Sequence, residues 1–339
     1  MSNARHGFVT AGCWCVDQNK TIPFWPEEDI AIMGTEIRRG GGGSACNFAI
    51  NIRKLDPTMP VATIGLVGDD ESGRFLAEQA DLYGIERSRL QFTRETQTAT
   101  TDAFHSQASG RRTHIFFEGS AALLSPNHFD FSNTGARIMH LGLPGIHAIM
   151  DAPWEEYPNG WVPVLKRAQA AGMKTNLELV TVSVERLQAL TQPCLPYLDT
   201  LVVNDFEVGA IAGMATVRDS VTDTAACREA AKQVLQRGSM EVVVVHYVRG
   251  AELIARDGTC LHKPSVCVPQ EAIHGANGAG DAFAAGFLYA RHEHWSYEDS
   301  LALAHASAAA CLRSVTTVEG VASVRDCLAL ADEWGWRDS

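Results

Sequence analysis

Gly275-Ala276-Asn277-Gly278-Ala279-Gly280-Asp281 leads without a break into Ala282-Phe283-Ala284-Ala285-Gly286-Phe287-Leu288. The first half is small and pliable and the second is apolar on nearly every side, so the pair reads as a loop entering the N-terminus of a buried helix. At such a terminus the first backbone N–H groups have no helical partner, and the positive end of the macrodipole faces the space before the first turn. Anions bind there. Glycines at 278 and 280 let a charged oxygen approach the backbone closely, and Asp281 sets one carboxylate beside the same space. A cradle of donors next to a carboxylate is what phosphoryl transfer to an alcohol needs. Spacing alone equally permits a plainer reading, in which Asp281 offsets the dipole and Gly280 makes a tight turn.

The 339 residues are 46% hydrophobic, enough for a substantial core, and no Pro/Ser-rich linker or change of composition divides them. One α/β domain over residues 1–339 is expected. The net charge of −12, with no Lys/Arg stripe to offset it, speaks against a nucleic-acid partner. No stretch of 18 apolar residues occurs and Met1 to His6 hold no apolar core of a signal peptide, so neither a membrane partner nor secretion is expected. Nine scattered cysteines fit buried thiols in a reducing cytoplasm better than a disulfide framework.

A second glycine-rich stretch, Arg38-Arg39-Gly40-Gly41-Gly42-Gly43-Ser44-Ala45-Cys46-Asn47, also opens a helix of small residues. It loosely fits a dinucleotide fingerprint, but the preceding Thr35-Glu36-Ile37-Arg38-Arg39 is too charged for a buried first strand. A Walker A loop is excluded, since no Gly-Lys-Ser/Thr occurs. Residues 7–11 read as a first core strand, with Asp17 shortly beyond it. Alternating runs at 98–104 and 113–117, around Ser109-Gly110-Arg111-Arg112, read as a hairpin.

From residue 137 the chain alternates strands (138–141, 175–180, 200–203, 242–247) with helices (162–171, 225–237), the rhythm of an open, mostly parallel sheet with helices on both faces. Ligands of such sheets sit beyond the carboxyl ends of the strands. Asn204-Asp205-Phe206-Glu207 falls at such an end, where the Asn and the acid serve either as helix caps or as a site.

Gly278-Ala279-Gly280-Asp281, Gly42-Gly43 with Asn47, and Gly68-x-Asp70-x-x-Gly73 together resemble the signatures of the ribokinase-like, PfkB-type carbohydrate kinases. The resemblance spans almost the whole chain. It implies a three-layer sheet with a small β-sheet lid, its strands contributed by about residues 17–39 and 98–117. It implies ATP and magnesium as cofactors and a sugar or sugar-like alcohol as acceptor. Asp281 would take the hydroxyl proton and Gly278, Ala279 and Gly280 would hold the transferring group. Asp17, Gly42, Gly43 and Asn47 would bind the acceptor. Asn204, His246, Arg249, Gly250, Asn277 and His305 would face the nucleotide, and Glu207 would hold magnesium through water. An Asp at a helix N-terminus is expected to stay ionised at neutral pH.

Two segments depart from the pattern. Gly275 and Ala276 stand where many members carry the Asp-Thr that contributes to a potassium site, so activation by K+ is an open expectation. His246 to Ala251 stand where a Thr-x-Gly-x-x-Gly loop would touch the phosphates. Three alternatives remain: a nucleoside kinase of the same family, a phosphorylated or acidic sugar read by Arg38, Arg39, Arg111 and Arg112, and a sugar or nucleotide sensor without efficient chemistry. A homodimer through the lid is the expected assembly.

Overall fold

The computed structural model describes residues 5–110 and 112–338, with the side chain of Arg112 left aside, so Arg111 lies outside the described residues. The strands in chain order are β1 (Phe8–Gly12), β2 (Cys15–Ile22), β3 (Glu36–Gly42), β4 (Val61–Gly68), β5 (Glu86–Thr93), β6 (Thr100–Ser106), β7 (Arg112–Phe117) and β8 (Ile138–Gly142). They continue with β9 (Lys174–Leu177), β10 (Thr200–Asn204), β11 (Val217–Arg218), β12 (Val221–Thr222), β13 (Val242–Tyr247), β14 (Gly250–Ala255) and β15 (Cys260–Pro264).

Nine of them form one sheet in the order β15-β14-β13-β10-β9-β8-β1-β4-β5. From β13 through β5 the neighbours run parallel, and β14 and β15 add an antiparallel edge. Unbroken aliphatic runs such as Val242 to Val245 suit strands covered on both faces. Successive residues there go to opposite sides. Val202, Val242 and Val244 join one core cluster with Phe48, Phe283 and Phe287, while Leu201, Val203, Val243 and Val245 join the other with Trp161, Val208 and Val234. The first layer is supplied by the helices Ser44–Leu55, Ala279–His292 and Tyr297–Cys311, and the second by Trp161–Ala170, Asp205–Ala212 and Thr224–Arg237.

From β1 the chain builds outward to β4 and β5, then returns to the other side of β1 with β8, β9, β10 and β13. That reversal places a crevice at the carboxyl ends of β1 and its neighbours. β9 is shorter than the expected 175–180. It ends at Leu177, and the Glu178 N–H reaches back to the Leu141 carbonyl at 2.7 Å, so the Glu178 side chain leaves the sheet at this edge.

The expected lid is present as a separate four-stranded sheet, β3-β2-β6-β7. Asp17 therefore sits inside β2, paired with Gly40 on one side and Thr101 on the other. Gly68-x-Asp70-x-x-Gly73 anchors this lid. Asp70 caps the helix Glu71–Leu82 through the Gly73 N–H at 2.7 Å and takes the Thr98 N–H at 2.8 Å just ahead of β6. No helix among the described residues is long and apolar enough to cross a membrane.

Candidate active site

The acceptor side is assembled by the entry into the first helix. Gly42 closes β3 opposite Cys15, and a Cβ placed on it would lie 2.2 Å from the Asp17 carboxylate. Gly43 follows with φ +85°, and a Cβ there would meet the Cys13 carbonyl at 2.5 Å. These glycines are bare because the lid strand lies directly on them. Burial pushes the Asp17 carboxyl up to about 7; hydrogen bonds from Thr101 and Cys15 pull it down, and Cys13 and Asp281 add to the rise.

Asn47, in the first turn of the same helix, is buried and points at the other signature. Its Nδ2 donates to Asp281 Oδ2 at 3.1 Å across a sequence separation of 234 residues, and its Oδ1 accepts from Thr317 Oγ1 at 2.8 Å. The Gly41 carbonyl lies 3.1 Å from the same Oγ1 and shares its single proton, which ties the loop after the helix Tyr297–Cys311 to the glycine run. Sequence reading missed Thr317, a threonine in an unremarkable loop.

The transfer side is the start of the helix Ala279–His292. Gly278 occupies the N-cap position with φ +78°, close against Thr317, and no side chain caps this terminus. The Ala279 N–H turns back to the Ala276 carbonyl at 3.4 Å, which leaves the neighbouring amides of Gly278 and Gly280 for a ligand. Burial pushes Asp281 up to about 7, with the Cys13 charge adding to the rise and the Asn47 hydrogen bond opposing it. The expectation of a plainly ionised Asp281 is thus corrected: loss of water outweighs the helix dipole and leaves the group poised near neutrality, where a general base is most effective.

The nucleotide side is more mixed. A Cβ placed on Gly280 would lie 3.5 Å from His246 Cε1. His246 is thus beside the anion loop, and burial lowers it to about 4, so it is a neutral imidazole at pH 7. Asn277 donates through Nδ2 to Asn19 Oδ1 at 3.2 Å, linking the loop to the lid.

Val248 and Arg249 form the exposed two-residue turn between β13 and β14. Gly250 is a buried strand residue, bare because a Cβ would meet the Lys263 carbonyl at 2.7 Å. The His305 ring sits edge-on to Phe283 and Trp336, with Nε2 3.2 Å from the Lys263 carbonyl. Sheet pairing holds Gly250 and ring packing holds His305.

Asn204 and Glu207 form a capping box on the helix Asp205–Ala212: Asn204 Oδ1 takes the Glu207 N–H at 2.8 Å and Glu207 Oε2 takes the Asn204 N–H at 3.0 Å. Glu207 is nonetheless buried, its carboxyl raised by desolvation, and its charge reaches Glu178. Glu178, which sequence reading did not single out, has its own carboxyl pushed up by burial and by the charges of Asp281 and Glu207. The Glu207 carboxyl beside an anion cradle suits a hard divalent cation that keeps most of its water.

Arg38 and Arg39, the two described side chains among the four arginines considered for a phosphorylated or acidic sugar, turn outward. Arg38 pairs with Glu36 at 2.5 Å; Arg39 reaches Glu71 and Ser72 at 3.0 Å and lies over the Phe75 ring.

The model of the pfkB family carbohydrate kinases matches residues 14–323. A 5-dehydro-2-deoxygluconokinase of Shouchella clausii is 23% identical over 96% of this chain and 95% of its own length, and an adenosine kinase of Schizosaccharomyces pombe is 24% identical over 82% and 81%. Among solved structures, Arabidopsis thaliana ribokinase with ribose and ATP superposes with a TM-score of 0.78 at 21% identity, covering 96% of this chain and 99% of that one. A nucleoside kinase of Methanocaldococcus jannaschii gives 0.73 at 18% identity over 98% and 100%. The fold is that of the ribokinases, and with the match covering nearly the whole chain the protein belongs to the pfkB family of carbohydrate kinases.

Proposed function

We propose that this sugar kinase moves the γ-phosphoryl group of ATP onto a hydroxyl of a sugar or sugar-like acceptor bound between Asp17, the Gly42-Gly43 turn and Asn47. The observation that carries the reading is the Asn47–Asp281 hydrogen bond of 3.1 Å, which joins an acceptor-binding helix to an anion-binding one. The acceptor oxygen forms the new bond to phosphorus as the bond to the β-phosphate oxygen breaks. Its proton goes to Asp281, and ADP departs. The amides of Gly278 and Gly280 face the charge on the transferring group, and His246 adds a neutral N–H beside them. Such a reaction has a loose transition state, so positioning and fixed dipoles carry most of the rate. Magnesium would be held by the nucleotide phosphates with Glu207 behind a water, supplying charge neutralisation.

Phe24, Trp25, Ile37, Ile115 and Phe117 are exposed on and around the lid strands, an apolar surface that supports pairing of two lids in a homodimer. The nine cysteines form no disulfide among the described residues, which fits a reducing cytoplasm.

Formation of ADP across pentoses, hexoses, sugar acids and nucleosides, with and without potassium, tests the proposal. Asp281→Asn lowers turnover by roughly two to four powers of ten while acceptor binding persists. A variant that keeps its turnover removes Asp281 as the base. No turnover with any acceptor, accompanied by retained thermal stabilisation, would make the protein a sensor.

A further inference from the structure

Behind the acceptor helix lies a group of buried polar atoms that the reaction above leaves unused. His140 on β8 is fully buried, stacked on Phe48 at 3.9 Å between ring centroids. Asn176 Nδ2 lies 3.1 Å from His140 Nδ1; an amide donor there makes Nδ1 the acceptor and puts the ring proton on Nε2. That Nε2 has no hydrogen-bond partner. It faces Glu178 Oε2 at 3.7 Å, which is also buried and unpartnered.

Ser44 Oγ, at the first turn of the acceptor helix, is a third unpartnered atom. Gly142 leaves the room: a Cβ on it would fall 2.6 Å from Ser44 Oγ and 3.1 Å from Glu178 Cβ. Three buried groups lacking partners around one bare glycine are expensive unless something fills the gap. The separation of His140 and Glu178 is too long for a hydrogen bond and short enough for one oxygen to bridge.

We propose that Glu178, backed by His140, is an acceptor-binding residue that takes a second hydroxyl of an uncharged polyhydroxy substrate whose reacting hydroxyl lies at Asp281. Glu178 borders the same cleft, since Gly142 sits between it and Ser44, which opens the helix that carries Asn47. The charges reaching Asp17, Glu178, Glu207 and Asp281 come from one another, from Asp205 and from Cys13, none of them a cation. A sugar acid would enter this lining against like charge with no arginine to meet it among the described residues, whereas neutral hydroxyls donate to every one of these oxygens. The proposal rests on the kinase reading and narrows it to neutral acceptors.

The test compares wild type, Glu178→Gln and Glu178→Ala on D-ribose, D-fructose, D-glucose, D-gluconate and 2-dehydro-3-deoxy-D-gluconate, following ADP. Wild type is expected to favour a neutral sugar. Both variants should raise its KM by about 10-fold to 100-fold with kcat changed far less, because a hydroxyl contact made in ground and transition state alike is lost.

The unliganded variants should melt no lower than wild type, since an unsatisfied buried carboxyl has been removed; a purely structural Glu178 would lower the melting point. Unchanged KM, or a lower melting point with KM intact, overturns the subsite and leaves the kinase standing. Better turnover of the acids by wild type overturns the choice of a neutral acceptor. Silence on the whole panel removes the kinase reading and this one with it.

Discussion

The two halves of the cleft are built differently. On the acceptor side every motif residue is held by another from a distant part of the chain: Asp17 lies on Gly42, Asn47 bonds to Asp281, and Thr317 bonds to both Asn47 and Gly41. On the nucleotide side, β13 turns into β14 through the exposed pair Val248 and Arg249, and His305 is enclosed by aromatic rings. The lesson is one of tolerance. A group that places a reacting hydroxyl must be fixed to within a fraction of an ångström, whereas a nucleotide with a long phosphate chain can be gripped by several arrangements of donors.

The sharpest attempt to break this contrast is Gly42→Ala. A methyl would overlap the Asp17 carboxylate, 2.2 Å from the Cβ position, and displace it or the lid strand. We expect a loss of about 100-fold in kcat/KM for the acceptor, measured by ADP release, with the KM for ATP little altered. Equal damage to both substrates would dissolve the distinction between the halves.

Asn47→Ala removes one donor to a carboxylate and leaves Thr317 Oγ1 with only the Gly41 carbonyl. A contact to a charged group is worth roughly 1.5–3 kcal/mol, so catalytic efficiency should fall by about 10-fold to 100-fold. Unchanged kinetics would mean that the bond seen here is not kept in the working enzyme.

The pH response follows from two carboxyls. Asp17 and Asp281 both titrate at about 7 in the fold, above their ordinary value of 3.8. Because the folded value is the raised one, their contribution to stability is present at acid pH and is lost as pH rises through about 7. The melting temperature of the unliganded protein should therefore decline between about pH 4 and pH 7 and level off above that, while kcat/KM rises as pH passes through about 7 and the base form of Asp281 appears. Replacing both aspartates by asparagine should flatten the stability profile; an unaltered slope would assign it to other groups.

The smallest effect is expected at Arg249. This side chain is on the solvent-exposed turn, so Arg249→Ala should change the KM for ATP by less than about 3-fold. A tenfold rise would show that the turn does grip phosphate and would bring the two halves closer together.

Much of the sheet was legible in the chain because period and composition are local properties. The strand expected at 242–247 is β13 as observed, and the hairpin at 98–117 is β6 and β7. Glycine clusters were legible too, since only glycine tolerates close approach of another backbone or carboxylate. What resisted were residues with no pattern of their own. Glu178 looks like any acid after a short strand, and Thr317 like any threonine in a loop. His305 and Gly250 are packed by neighbours in space that are invisible from their neighbours in sequence.

The amino-acid sequence by itself determined the layered fold, the lid and the identity of the paired signatures, because alternating burial and bare glycines are written residue by residue. Only the tertiary structure decided that Asn47 meets Asp281, that Asp281 is pushed up to about 7, and that Glu178 and His140 face each other unpartnered. Those properties depend on how much water is excluded and on which distant groups remain, and both exist only once strands far apart in the chain bring their carboxyl ends to one crevice.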